Sequence, residues 1–258
     1  KPGGDRYYRT RYDIADVSLM LRRQPQSWMR VHYGATYQYF NLDKEENAGK
    51  YVSETRTNGL DSSMLYRGKS YAGLHFKLDI NSQNNKIVPT RGFVMDANIR
   101  PLFGLNGEAT NNLLRADFDM RLFASIFSLP RLVVATRIGY GRNFGDYEFP
   151  QAYYLSGTEN LRGYRRDRFA GRTMFFNNTE IRFKAAEFNT YLFPGSFGFL
   201  VFNDVGRVWA DGEKSTDWKV GNGVGVWLSP VNRFVVTATL ARSKEEKAIP
   251  LVTFGFQF

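Results

Sequence analysis

Apolar and polar residues alternate with a period of two along nearly the whole chain. Between residues 31 and 39, Val31, Tyr33, Ala35, Tyr37 and Tyr39 hold one parity and His32, Gly34, Thr36 and Gln38 the other. The same alternation sets Ala72, Leu74, Phe76, Leu78 and Ile80 against Gly73, His75, Lys77 and Asp79. It sets Ala116, Phe118, Met120 and Leu122 against Arg115, Asp117, Asp119 and Arg121, and Phe234, Val236, Ala238 and Leu240 against Arg233, Val235, Thr237 and Thr239. Successive side chains of a strand point to opposite faces, so the pattern predicts strands with two chemically different faces. About eleven such segments are read, over roughly 12–23, 27–40, 70–81, 91–102, 112–127, 131–143, 172–186, 196–209, 218–228, 232–242 and 249–258. No helical period competes with them.

The connections come in two kinds. Short turns are expected at Gln24-Pro25-Gln26, Leu129-Pro130 and Ser229-Pro230-Val231, and long polar connections at 41–69, 144–171, 211–217 and 243–247. Two folds compete. In a soluble sandwich the apolar face packs inward against a second sheet; in a membrane barrel it faces lipid and the polar face lines the lumen. Strands of ten residues or more suit a tilted membrane crossing. Short turns at one end and long loops at the other match an outer-membrane barrel. Tyr37, Tyr39, Tyr140 and Trp218 stand on the apolar parity near the long loops, where an aromatic girdle belongs. The expectation is an all-β, antiparallel transmembrane β-barrel over residues 1–258. It would have about twelve strands, if Asp5–Tyr12 holds one more, or form the C-terminal part of a sixteen-stranded barrel.

Composition alone misleads here. The mean hydropathy is −0.41 and 23% of residues are charged, values usual for a soluble protein. No run of 18 apolar residues is available for a membrane helix, and "KPGGDRYYRTRYD" lacks the apolar region of a signal peptide. Cysteine is absent, so thiolate chemistry is excluded. The net charge of +10 raises the question of nucleic acid. The basic residues, however, lie partly in a loop (Arg162, Arg165, Arg166, Arg168) and partly beside acids on the polar parity. With no basic helix or stacking platform, no nucleic-acid partner is expected. His32 and His75 are isolated and no metal or cofactor is expected. Asp117 and Asp119 between Arg115 and Arg121 read as a charge ladder, and no catalytic residues are assigned.

Two motifs remain. The last segment, "IPLVTFGFQF", puts Phe254, Phe256 and Phe258 on one parity, with a phenylalanine last, as in the C-terminal signal of outer-membrane barrels. The other is "GTENLRGYRRDRFAG", followed by "FNNTEIRF" and "FGFLVFNDVGRVW". Together with "VPTRGF" at 88–93, these stretches resemble the BamA/TamA superfamily of outer-membrane assembly and secretion barrels. The resemblance implies a long loop, here about 144–171, that folds back into the barrel. Its Arg162 would meet acidic groups on the next two strands, for which Glu180 and Asp204 are the candidates. Gly163 would allow the sharp tip and Tyr164 would wedge against the lumen wall. An arginine away from water needs such partners. The alternative is an exposed loop arginine and two ordinary lumen acids. Gly221, Gly223 and Gly225 on the lumen parity would leave space for the loop, or merely permit curvature.

The resemblance also implies a function and a place: insertion or translocation of proteins at the bacterial outer membrane, without an enzymatic step. Lipid handling between leaflets, and anchoring of an enzymatic passenger domain, are the alternatives. Outer-membrane lipid is the expected partner, with client barrel proteins, lipopolysaccharide and further copies of the chain as candidates. Family members usually carry periplasmic POTRA domains and sixteen strands. About six segments precede the loop here and five follow it, so a short or truncated member without POTRA domains is expected.

Overall fold

The computed structural model describes residues 10–53, 66–106, 112–126, 131–155, 157–166, 168–191, 193–212 and 216–258. Thirteen strands occur among them: β1 (Asp13–Gln26), β2 (Met29–Asn41), β3 (Lys69–Asn81), β4 (Gly92–Gly104), β5 (Leu113–Ser125), β6 (Leu132–Gly145), β7 (Tyr153–Leu155), β8 (Phe169–Gly171), β9 (Thr173–Asn189), β10 (Pro194–Trp209), β11 (Lys219–Pro230), β12 (Val236–Ser243) and β13 (Ile249–Phe254). Eleven form one antiparallel sheet in the order β1-β2-β3-β4-β5-β6-β9-β10-β11-β12-β13. The remaining two, β7 and β8, pair with each other inside the long connection between β6 and β9.

The polarity of this wall is inverted relative to a soluble protein. Leu19, Phe76, Ile99, Phe199, Val224 and Leu240 are exposed on one face. On the other, Gln38, His75, Asn143, Asn178, Glu180, Arg182 and Asp204 are buried. Apolar outside and polar inside is the distribution of a transmembrane barrel, and the chain is an antiparallel transmembrane β-barrel wall. Tyr37, Tyr39, Tyr140 and Trp218 are exposed, as a girdle requires. The charge ladder also lies inside: Arg137 and Arg121 both reach Asp119, and Lys77 reaches Asp79.

The structure departs from the sequence reading in five places. Among the described residues the sheet does not close, because no backbone pairing joins β1 to β13. The extra strand sought at Asp5–Tyr12 falls largely outside the described residues, and Thr10–Tyr12 carry no strand. Pro25 is no turn: β1 runs on to Gln26, and its register slips between Arg23 and Gln26, where a residue without an N–H is tolerated. The turn at 229–231 lies further on, with Val231 and Asn232 both at positive φ. Lastly, β13 ends at Phe254. Gly255 adopts a φ of +100°, and the chain turns into the lumen. The turn predicted at Leu129-Pro130 lies outside the described residues.

One feature of the outer face is not apolar. Thr136, Thr179, Asn203, Asn222 and Arg242 are register partners across β6, β9, β10, β11 and β12, so they form a single polar row. Four of its members are hydrogen-bonded in pairs. Thr136 and Thr179 are hydrogen-bonded at 3.2 Å, Asn177 donates to Thr136 at 3.1 Å, and the Asn203 amide donates to Asn222. A polar group in lipid is costly only when it lacks a partner. Asn203→Leu is therefore expected to cost about 1 kcal/mol, since it strands Asn222, whereas changing both to leucine should be near neutral. Urea unfolding in lipid vesicles checks this; equal losses in the single and double variants would contradict the pairing.

Candidate functional site

The connection from β6 to β9 does not cross the outer surface of the barrel. It drops into the lumen through a turn at Phe149–Gln151 and the short pair β7–β8. Polar wall residues hold its main chain. Asn143 and Arg115 donate to the Gln151 carbonyl at 2.9 and 3.0 Å, Arg137 donates to the Glu159 carbonyl at 2.9 Å, and Asn178 donates to the Asn160 carbonyl at 2.8 Å. The Gln151 amide donates to Gln38 at 2.9 Å. These contacts answer backbone groups that would otherwise be buried without partners.

At the tip Arg162 is 2% exposed, while Glu180 on β9 and Asp204 on β10 are each 0% exposed. The structure brings the three together. Arg162 Nε donates to Asp204 Oδ2 and Nη2 donates to Oδ1, both at 2.7 Å. The Arg162 main-chain N–H adds a third bond to the same carboxylate at 3.0 Å, and Nη1 donates to Glu180 Oε1 at 2.5 Å. This is the bidentate fork geometry, worth more than a single contact. The guanidinium carbon also lies 3.6 Å from the centre of the Phe202 ring, which forms the floor of the site.

Neighbouring positions explain why the tip fits. Gly163 has a φ of +89°, and a Cβ there would stand 2.9 Å from the Arg242 carbonyl oxygen. Gly221 on β11 lies directly beneath the loop: a Cβ would come 1.8 Å from the Arg162 carbonyl oxygen. Gly223 and Gly225 are different. A Cβ on Gly223 would meet the Phe202 ring and the Leu240 carbonyl, and one on Gly225 would meet β12, so neither makes room for the loop itself. Tyr164 is buried with Tyr153, Leu155, Leu161, Met174 and Phe176, and its ring meets Phe169 edge-on. Its hydroxyl donates to the Val220 carbonyl at 3.4 Å.

Two members of the site were not singled out from sequence. Phe202 is one. The other is Arg182, 3% exposed, whose Nε donates to Glu180 Oε2 at 2.7 Å. Glu180 is thus shared by two arginines, and the buried charges run Asp204, Arg162, Glu180, Arg182. The shared parity of Glu180, Arg182 and Lys184 was the available signal. Arg182 Nη2 donates to the Phe258 main-chain oxygen at 3.0 Å, and its guanidinium lies 3.9 Å from the Phe256 ring centre. The three C-terminal phenylalanines, which share one parity in the sequence, therefore do not share one face of the barrel wall. Phe254 points outward at 85% exposure, but Phe256 and Phe258 turn in with the chain at Gly255.

The basic rim of the loop is answered by acids. Arg168 reaches Glu245 at 2.8 Å and Glu246 at 3.4 Å, and Arg165 reaches Glu246 at 3.4 Å. A hydrogen bond from Lys219 holds the Glu245 carboxyl below its usual range, against the opposing effect of burial. Asp117 accepts hydrogen bonds from Asn98 and Tyr153, and His75 lies within hydrogen-bonding distance of Ser18 and Asn98. These groups are structural partners of the wall and loop.

An Omp85 superfamily domain matches residues 3–258. The chain belongs to the Omp85 superfamily. Among solved structures it is similar to BamA from Haemophilus ducreyi lacking POTRA domains 1–3, with a TM-score of 0.71 and 16% identity over 95% of this chain. It is also similar to CdiB from Acinetobacter baumannii, with a TM-score of 0.60 and 16% identity over 94% of this chain. It spans 54% and 41% of those two chains. No curated protein sequence matches it. In this Omp85 wall the arginine loop fills the lumen beside β9, β10 and β11, and the buried ion pairs join the loop to the strands around it.

Proposed function

We propose that this chain acts at the bacterial outer membrane in the insertion or translocation of proteins, with no reaction chemistry of its own. The observation that supports this is Arg162, buried between Asp204 and Glu180 in an Omp85 barrel wall. In this reading Arg162, Gly163, Tyr164, Glu180 and Asp204 lock the loop inside one barrel domain spanning 1–258. The locked loop keeps the lumen filled while the wall remains able to move at its edge. β13 has six residues and, among the described residues, pairs only with β12, so its other side can accept a client strand by backbone pairing. Phe254, Phe256 and Phe258 retain a proposed part as a C-terminal assembly signal, with Phe256 and Phe258 becoming accessible only before the tail docks on Arg182. Outer-membrane lipid surrounds the apolar face, and client barrels are the partners. The acids paired with Arg165 and Arg168 weaken the case for lipopolysaccharide at the rim.

The test is reconstitution of the chain in vesicles with an unfolded barrel client. Client folding, read as a heat-modifiable band, is expected to speed up with the wild type and with Arg165→Ala, and to lose that gain with Arg162→Ala. Unchanged client folding accompanied by rapid transfer of labelled lipid between leaflets would favour lipid handling instead.

A further inference from the structure

The net charge of +10 is unevenly placed. The five connections at the short-turn end, 27–28, 82–91, 126–131, 190–193 and 231–235, carry Lys86, Arg91, Arg131 and Arg233 and no acid. Residues 127–130 and Leu192, which lie outside the described residues, are uncharged and leave that balance as it is. All four cations are exposed, as is Arg23 near the end of β1, on the outward parity of Leu19 and Leu21. Arg23, Lys86, Arg91 and Arg233 have no ion-pair partner among the described residues. Glu187 and Asp79, the acids nearest the ends of the adjoining strands, are already bridged to Lys184 and Lys77. The long-loop end differs: Arg168 and Lys219 are bridged to Glu245, Arg172 to Asp211 and Lys69 to Glu148.

Aromatic side chains share these turns. Trp28 follows Arg23, Phe93 follows Arg91 and Phe234 follows Arg233, and all three rings are exposed, with Tyr191 and Phe193 on the connection from β9 to β10. Phe93 is the register partner of outward Leu122, and Phe234 keeps the outward parity of Val236. Aromatic rings at the end of an apolar wall mark the level of the lipid headgroups. Lysine and arginine at that level attract negatively charged headgroups. The cations belong to three different connections and to the end of β1, so they are distributed along the rim and not gathered in one patch. A headgroup plane surrounds the barrel and meets such a rim at every turn; a single acidic protein would meet only part of it.

We infer that the short-turn end of this wall is a recognition surface for anionic phospholipids. Arg23, Lys86, Arg91 and Arg233 hold the headgroup phosphates of the leaflet on that side, the aromatic rings fix the depth of the rim, and Arg131 adds to the attraction. The surface is separate from the Arg162 lock. It rests on the barrel wall and not on the role in protein assembly.

The experiment uses the full chain folded in phosphatidylcholine vesicles that hold a trace of spin-labelled phosphatidylglycerol or spin-labelled phosphatidylcholine. Electron spin resonance separates lipid restricted by the protein from bulk lipid and yields the relative association of the two labels. Wild type is expected to prefer phosphatidylglycerol about threefold or more at low salt, and to lose most of that preference at about 1 M salt. The variant Arg23→Gln, Lys86→Gln, Arg91→Gln and Arg233→Gln changes exposed side chains only and leaves the Arg162 site and the apolar face intact. Folded by heat-modifiability, it should take up both lipids nearly equally. A preference that persists in the folded variant, or that does not respond to salt, overturns the assignment. No preference in wild type overturns it as well, and saturable binding of a polyglutamate peptide to the same vesicles would then give the surface to an acidic partner.

Discussion

Arg162→Ala is expected to destabilise the loop by about 3–5 kcal/mol, because Asp204 and half of the charge of Glu180 then stay buried without their cation. Its result should be visible before global unfolding, as protease nicking within 157–166 of a barrel whose strands remain protected. Asp204→Ala should act in the same range, since it removes the acceptor of three Arg162 donors. Glu180→Ala should extend further, because Arg182 loses its carboxylate at the same time and the Phe258 contact depends on where Arg182 is held. Arg165→Ala removes a half-exposed pair with Glu246 and should cost no more than about 1 kcal/mol.

The combination of changes tests the origin of the effect. If the loss reflects uncompensated burial, Arg162→Met with Asp204→Leu should recover much of the stability lost by either single alanine change, as apolar replacement of a buried pair often does. Glu180 would then retain Arg182 as its partner. The cycle isolates the pairing from the loop packing made by Leu161 and Tyr164, which all these variants keep. Proteolysis of Arg162→Ala at the rate of wild type would show that Tyr164, Gly221 and the wall amides hold the loop by themselves.

Strand positions were legible because both faces of each strand were chemically marked. Over β3 and β6 the period-two pattern places the boundaries within two residues, and the inward parity it assigns to Lys77, Asp119, Arg137, Glu180 and Arg182 is the observed one. The approach of Arg162 to Glu180 and Asp204 could be expected from the resemblance, and the need of a buried charge for a partner made it physically reasonable. Alternation carries no information about where a strand stops, however. Phe254, Phe256 and Phe258 keep the parity of a strand, yet Gly255 takes a positive φ and sends the last residues inward to Arg182. The aromatic spacing looked the same in either case. β7 and β8 are three residues each and belong to a loop whose shape is set by the lumen wall, so no local pattern could announce them. The polar row on the outer face was not singled out in the sequence. Only the cross-strand register shows that Thr136, Thr179, Asn203 and Asn222 are neighbours.

Register also gives the sharpest test of the membrane itself. Phe118 sits near the middle of β5 on the outward parity, between Ala116 and Met120. Phe118→Arg is expected to cost about 2–4 kcal/mol in lipid, because a charge near the midplane of a barrel's outer face has no polar partner. Ala124 shares that parity but is exposed next to the end of the strand, so Ala124→Arg should cost only about 0–1 kcal/mol, with the side chain reaching the interface. Asp117 is not a neutral inward control, since it accepts hydrogen bonds from Asn98 and Tyr153, and its replacement disturbs the loop as well as the wall. The depth series on one face avoids that difficulty. Reversible unfolding from lipid vesicles measures it: a steep loss at 118 and a shallow one at 124 locate the hydrocarbon band along β5. If the outer face met water, both arginines would fall within about 0.5 kcal/mol of wild type, and the inverted polarity of the wall would then need a protein partner rather than lipid to cover it.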